Sequence, residues 1–357
     1  MPHRATTGGF SNIMTAHTLH SRFIGRMAGS VTGRMTGPIV AGLLGLGVAA
    51  GPMAALAETW DMPTPYPDTN LHTIVVKQFA DDVKAATAGK IQITVHSNGS
   101  LIRHPEIKRA VQSGQAQLGE VLISSWANED PLYGLDSVPF LATDFKSAHK
   151  LYEVSKPYLE KKLERQRLKL LYSIPWPPQG LYVKDEMQSI EGLKGQKFRA
   201  YNPATTRIAE LSGAIPVKIE AAEVAQAFGT GIVTAMITSA ATGVDTKAWD
   251  FVKVYYDVQA WLPRNMVFVN TEVWKGLDAG TQKAIQDAAA KAEATGWAEW
   301  EKKTAELNKT MSDNGMKVLP PSDKLKEGLS AIGKTMTAEW TKAAGADGEA
   351  IISAFGK

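Results

Sequence analysis

The sequence predicts an α/β protein of two similar lobes, with a ligand cleft between them and a long C-terminal helix set against both. Three observations carry this expectation. A helix–strand–helix–strand rhythm runs from Asp68 to Ser125, the pattern of a parallel α/β sheet. The same rhythm returns about 110 residues later. A Pro-free stretch rich in Ala, Lys and Glu, GTQKAIQDAAAKAEATGWAEWEKKTAELNKTMSDNG, then reads as one continuous helix.

The first rhythm is explicit. Leu71, Ile74, Val75, Phe79, Val83 and Ala86 form one helical stripe, stopped at Gly89. Ile91, Ile93 and Val95 alternate as a strand that ends at Asn98-Gly99. A second helix starts at Pro105, carries Ile107, Ala110 and Val111, and stops at Gly114; the strand LGEVLIS follows. In the second half, strand QKFRAY leads to helix PATTRIAELSG, strand IPVKI, helix AAEVAQAFGTG and strand IVTAMITS. EIKRAVQSG…EVLISS and EVAQAFGTG…AMITS echo each other, which supports similar lobes without proving duplication. Ligands of open α/β sheets bind beyond the carboxyl ends of strands. Ser124 and Ser125 are therefore expected to face Thr238 and Ser239 across the cleft. The long helix is of a length to bridge both lobes or to brace them from behind, and Leu329, Ile332, Met336 and Trp340 mark one more packed helix.

At 357 residues the chain suits two lobes. Its first 57 residues hold Arg4, Arg22, Arg26 and Arg34 but no Lys, Asp or Glu, and close on the apolar run IVAGLLGLGVAAGPMAALA. A positive region, an apolar region and the small-x-small ending Ala55-Leu56-Ala57 describe an export signal cut before Glu58. Gly and Pro52 break the run, which disfavours a membrane anchor. The leader is long, and Met14, Met27 and Met35 are alternative starts. Removing its four arginines takes 39 basic against 36 acidic residues to 35 against 36, about −1. The basicity thus belongs to the leader, and no nucleic-acid partner is expected. No later segment is long and apolar enough to span a bilayer, so the processed chain is not expected to be membrane-spanning.

Catalytic chemistry is sparse. There is no cysteine, which excludes thiol catalysis, Cys zinc sites and disulfides. After the leader only His72, His96, His104 and His149 remain, without metal-ligand spacing. No G-x-S-x-G, P-loop or G-x-G-x-x-G motif occurs. Ser124-Ser125 has no visible base, and the chain does not read as an enzyme. Binding residues are better represented. YSIPWPPQGLYVK holds Trp176, Gln179 and Tyr182 on a segment stiffened by Pro177 and Pro178. SSWANEDPLYG offers Trp126 and Asn128; TPYPDTN offers Tyr66 and Asn70. Trp176 is as readily a core residue of a rigid connector, and Glu120 could mark an acidic site or, as readily, face solvent or a backbone amide from mid-strand. In KFRAYNPATTR, Asn202 is a good N-cap, Pro203 suits the first helical position, and Arg199 ends the strand before them. Taken alone, Arg199 is a surface charge, half of a salt bridge, or a clamp for an anion.

With these residues in place, the chain resembles the DctP-type solute-binding proteins of TRAP transporters over nearly all of 58–357. The resemblance rests on GKIQITVHSNGSL, EIKRAVQSGQAQLGE, DSVPFL, GLKGQKFRAYN, SGAIPVKIEAAEVAQAFGTGIV and LPRNMVFVNTEVWKGL. Its most specific part is the spacing of strand Arg, Gly-Ala-x-Pro-Val, Glu-Val and Thr-Gly. It implies the two-lobed periplasmic binding-protein fold, with 58–177 plus about 264–303 as lobe I and 178–263 plus about 304–357 as lobe II. It also implies a periplasmic receptor that passes a small organic acid to small and large TRAP membrane subunits. The arginine matching Arg199 then holds the ligand carboxylate, with the helix start at Asn202 adding a favourable field. Asn202, Gln179, Thr238 and Ser239 orient polar groups; Trp176, Trp126 and Tyr66 line apolar faces; Tyr182, Ser124, Ser125 and Asn70 complete the expected site.

Two departures refine this. Ile232-Val233-Thr234-Ala235-Met236 stands where many relatives carry Val-Asp-Gly, and Gln179-Gly180-Leu181 where a second binding arginine is often found. The site therefore reads as less cationic and suited to a monocarboxylate. Thr238 and Ser239 occupy the place of a cation-bridging acidic residue, so no metal or cofactor is expected. An ABC-type or sensor-linked receptor is the nearest alternative; an exported hydrolase using Ser124 or Ser125 is the more distant one.

Overall fold

The computed structural model describes residues 57–357; the expected leader, Ala57 apart, lies outside the described residues. The elements run β1 (Glu58–Pro63), α1 (Leu71–Ala86), β2 (Ile91–His96), α2 (His104–Ser113), β3 (Leu118–Leu122), α3 (Phe145–Arg165) and β4 (Leu168–Pro175). They continue with β5 (Gln179–Val183), β6 (Lys197–Ala200), α4 (Pro203–Leu211), β7 (Ile215–Lys218), α5 (Val224–Gly229), β8 (Ala235–Ser239), α6 (Ala240–Asp245) and β9 (Val254–Tyr256). The chain ends with β10 (Arg264–Asn270), α7 (Thr271–Lys275), α8 (Ala279–Asp313), β11 (Lys317–Leu319) and α9 (Asp323–Gly356).

Both expected rhythms are present, and their stops follow local chemistry. Gly114 takes a left-handed φ of 79° to end α2, as only glycine does without strain. The α4 start is a full capping box: Asn202 Oδ1 accepts from Thr205 N at 2.9 Å, and Thr205 Oγ1 accepts from Asn202 N at 3.1 Å. In the α1 stripe Ile74 is instead 45% exposed, and Val76 is buried.

The purely parallel sheets expected from the rhythm are corrected. β1 pairs parallel with β2, but β10 lies between β3 and β4 and is antiparallel to both. The six-stranded sheet runs β11-β9-β5-β8-β6-β7, where β5 is antiparallel to β8 and β9 while β6, β7 and β8 are parallel. The two antiparallel intruders, β5 and β10, are the strands that follow the crossings between sheets. Leaving one sheet and entering the other needs no helical crossover, so direction reverses freely.

The two crossings lie against each other. Trp176 N donates to Pro263 O (2.7 Å), Gln179 N to Trp261 O (2.9 Å) and Ala260 N to Gln179 O (3.0 Å). Pro177 and Pro178 between them have no N–H to donate. Gly180 is required here, because a Cβ would stand 2.3 Å from the Tyr255 ring.

Alternation sorts the six-stranded sheet into two faces. Leu181, Val183, Ala235 and Ile237 join the large core, while Tyr182 and Met236 join a smaller core with Phe228, Tyr255 and Met311. α8 packs on α1 and β4 and also on α6 and β11, so it bridges both sets of strands. Gly296 on this helix lets Ile174 approach; a Cβ would lie 2.4 Å away. α9 rests on α3 and the 131–137 turn and on α4 and the 190–193 turn. It therefore touches elements of both expected lobes.

Candidate functional site

A cavity of about 310 Å³ lies where β6 and β8 end and the crossings meet. Arg199 sits in its wall on β6, 3% exposed. Its Nε donates to Ile219 O at 2.9 Å, and its guanidinium carbon lies 4.8 Å from the Tyr201 ring centroid. Among the described residues no carboxylate forms an ion pair with it. Burial pulls the guanidinium below its ordinary pKa range, partly offset by Tyr201, Glu220 and Tyr66. A guanidinium nonetheless stays charged near neutrality. A buried cation without a carboxylate partner is costly, and an anionic ligand would offset that cost.

The floor is polar but internally tied. Tyr201 Oη donates to Gln179 Oε1 (2.9 Å), and Gln179 Nε2 donates to Pro177 O (2.9 Å). This chain links the strand carrying Arg199 to the crossing. Ser239 Oγ accepts from Thr242 N at 3.2 Å, leaving Thr238 beside it at the end of β8.

The aromatic wall is Tyr66 and Trp176, edge to face with centroids 4.8 Å apart. Asn265 holds both: its Oδ1 accepts from Trp176 Nε1 at 2.8 Å and from Tyr66 Oη at 3.3 Å. Asn265 Nδ2 in turn donates to Glu120 Oε1 at 3.0 Å, and Thr64 donates to the other Glu120 oxygen. His72 packs tilted against Trp176, with ring centroids 4.2 Å apart, and burial holds its imidazole below its usual pKa. Glu120 is thus a buried support of the wall, not the solvent-facing strand residue that the sequence also allowed.

Opposite stand Arg103 and His104 at the start of α2, with Glu220 and Glu223 after β7. Arg103 pairs with Glu223 at 2.8 Å, and His104 Nδ1 lies 3.0 Å from Glu220 Oε2.

Six of the expected residues line this cavity: Tyr66, Trp176, Gln179, Arg199, Thr238 and Ser239. The other six lie elsewhere. Asn202 caps α4, and its Nδ2 donates to Ser124 Oγ (3.0 Å) and Ser137 Oγ (3.3 Å). Ser124 therefore meets Asn202 and does not open onto the cavity beside Thr238, while the Ser125 hydroxyl is buried without a partner. Trp126 packs edge-on to His104 and does not line the cavity. Asn70 caps α1 and donates to Asp245 at 2.6 Å. Tyr182 faces the smaller core, donating to Ser239 O at 3.0 Å, because alternation on β5 turns it away.

Sequence reasoning missed Tyr201, Glu220 and Asn265. Glu220, a polar residue just past β7, carries a signal like that of Thr238 at the end of β8, and Tyr201 lies two positions beyond Arg199. Asn265 acts through a long-range contact that no local pattern marks. The expected shortage of a second arginine is qualified too: none lies at the crossing, but Arg103 reaches the rim, matched by Glu223.

The chain matches the family described as bacterial extracellular solute-binding protein, family 7 (DctP), over residues 64–343. It is similar to two Bordetella pertussis extracytoplasmic solute receptors, DctP6 and DctP7, whose structures are described as binding pyroglutamic acid. Identity to DctP6 is 47% with a TM-score of 0.82, covering 84% of this chain and 99% of that one. For DctP7 the values are 48%, 0.83, 84% and 100%. A marine metagenome TRAP solute-binding protein, described as specific for pyroglutamate, is 43% identical with a TM-score of 0.83, covering 84% and 99%. More distant TRAP proteins, such as one from Desulfovibrio desulfuricans at 21% identity and a TM-score of 0.79, share the fold. The two-lobed solute-binding architecture is thus common to all of them, and the chain belongs to the DctP family of bacterial extracellular solute-binding proteins.

Proposed function

We propose that this chain is the periplasmic receptor of a TRAP transporter, capturing pyroglutamate or a closely similar small monocarboxylate and delivering it to the membrane subunits. The observation that carries the reading is Arg199: a buried guanidinium in a cavity wall, with only Nε committed and no carboxylate paired to it among the described residues. Its planar pair of terminal N–H groups suits bidentate capture of one carboxylate. Tyr66 and Trp176 offer an apolar face to a small ring, and Thr238, Ser239 and Gln179 offer polar contacts around it. The volume, about 310 Å³, is at the small end for ligand cavities and suits a compact acid. Three relatives at 43–48% identity are described with pyroglutamate, which supports the ligand class.

In this reading lobe I is 58–177 with about 264–303, lobe II is the remainder, and closure hinges on the paired crossings. The hydrolase alternative has little support: Ser124 Oγ accepts from Asn202, and neither serine is hydrogen-bonded to an imidazole or carboxylate among the described residues. Titration calorimetry of the processed protein with L-pyroglutamate tests the proposal. Saturable 1:1 binding supports it, and no heat at millimolar ligand overturns the ligand assignment.

A further inference from the structure

Glu220 lines the same cavity as Arg199, and its side chain is 17% exposed. The Arg199 Nε bond to Ile219 O fixes the backbone next to Glu220, so cation and anion are held on one frame. A second anchor comes from α2. Leu122 N donates to His104 Nε2 at 3.3 Å, which makes that nitrogen an acceptor and assigns the imidazole proton to Nδ1. Nδ1 lies 3.0 Å from Glu220 Oε2, so the imidazole N–H donates to that carboxyl oxygen. Burial pushes that carboxyl up, but the hydrogen bond from His104 and the charges of His104, Lys218 and Arg199 together hold it below its usual pKa. Glu220 Oε1 has the exposed Lys218 ammonium 3.5 Å away, too long for a firm hydrogen bond.

The charge balance follows. Arg103 and Glu223 neutralise each other at the rim, with 71% and 45% of their side chains exposed. The interior then holds one cation, Arg199, and one anion, Glu220. A single carboxylate is accommodated, whereas a second one would meet Glu220 in a poorly solvated cavity, where like charges repel strongly.

We infer that Glu220, locked in place by His104, is the specificity-determining residue: it accepts a hydrogen bond from an N–H or O–H donor on the ligand and rejects a second carboxylate. The receptor thus selects monocarboxylates bearing a donor. This rests on Arg199 being the carboxylate clamp.

The test uses the processed protein and three probes in calorimetry: L-pyroglutamate, cyclopentanecarboxylate, which lacks the donor, and succinate, a dicarboxylate. Wild type is expected to bind pyroglutamate at least about tenfold more tightly than either of the others. In Glu220→Gln the amide oxygen still accepts from His104 while its NH2 replaces an acceptor with a donor. The pyroglutamate-to-succinate affinity ratio should fall at least about tenfold. A ratio unchanged within about twofold, or a wild type that binds succinate as well as pyroglutamate, overturns the inference. Arg199→Ala, run in parallel, separates the two ideas. Its loss of pyroglutamate binding together with an unchanged Glu220→Gln ratio sinks the Glu220 role and leaves the clamp standing. Retained binding in Arg199→Ala sinks the clamp, and the Glu220 role with it. A circular-dichroism melt confirms that each variant is folded.

Discussion

Asn265→Leu removes the group that ties the aromatic wall to the protein beneath it. Asn265 is 1% exposed, and leucine keeps its branched shape with bulkier methyls in place of the amide atoms, so the change deletes hydrogen bonds without opening a cavity. Three partners lose their bond: Trp176 Nε1–H at 2.8 Å, the Glu120 carboxylate at 3.0 Å and the Tyr66 hydroxyl at 3.3 Å. The indole N–H is left unsatisfied at a cost of about 1–3 kcal/mol. The carboxylate loses one of two donors, about 1.5–3 kcal/mol, and the long tyrosine bond adds little. Together the loss is about 3–5 kcal/mol, large for a single residue. For a chain this long that corresponds to a Tm lower by roughly 6–10 °C. Thermal and urea unfolding measure it, and pyroglutamate affinity should fall as well because Trp176 and Tyr66 no longer hold one orientation. A loss below about 1 kcal/mol would refute the reasoning, since it would mean that water satisfies these groups equally well.

Two further perturbations follow from the same packing. Gly243→Ala places a Cβ 2.2 Å from Tyr182 Oη and 2.8 Å from Met311 Sδ, so the tyrosine must give up its bond to Ser239 O; a loss of about 1–3 kcal/mol in urea unfolding is expected, and a neutral result would show that α6 shifts freely. Asp136, buried and only partly compensated by Arg264, has its pKa pushed up to about 6. Its contribution to stability is therefore fully present below the unfolded value near 3.8 and is lost as pH rises to about 6. Asp136→Asn should gain stability relative to wild type across that window, and a pH-independent difference would contradict the assignment.

The sequence announced what depends on local chemistry. Gly114, the Asn202 cap with Pro203 behind it and the alternation of Ile91–Val95 each act within a few residues, and each marks an element found in the structure. What it concealed depends on strand direction or on distant partners. Antiparallel β5 and β10 leave no local trace, because alternation is the same in either direction. Pro157 interrupts the pattern of α3, a 21-residue helix that the sequence marks only around His149. At the site, the strand-end position of Arg199 left three roles open and only the family resemblance favoured a ligand clamp, whereas Tyr182 turned out to face away from the cavity and Ser124 to lie in the turn after β3. A strand residue such as Tyr182 has two faces to choose from, and the sequence does not say which one meets the cavity. Asn202 offers a capping oxygen and an amide, and both are spent on the protein itself.

The central claim is that Arg199 holds the ligand's carboxylate in a desolvated cavity. Calorimetry of wild type, Arg199→Ala and Arg199→Lys with L-pyroglutamate tests it most directly. Loss of one partner of a buried charge pair costs about 2–5 kcal/mol, so Arg199→Ala should bind roughly 30-fold to several thousand-fold more weakly. Arg199→Lys should recover only part of that loss, because an ammonium lacks the two-pronged geometry. Pyroglutamate affinity in Arg199→Ala within about threefold of wild type would contradict the account.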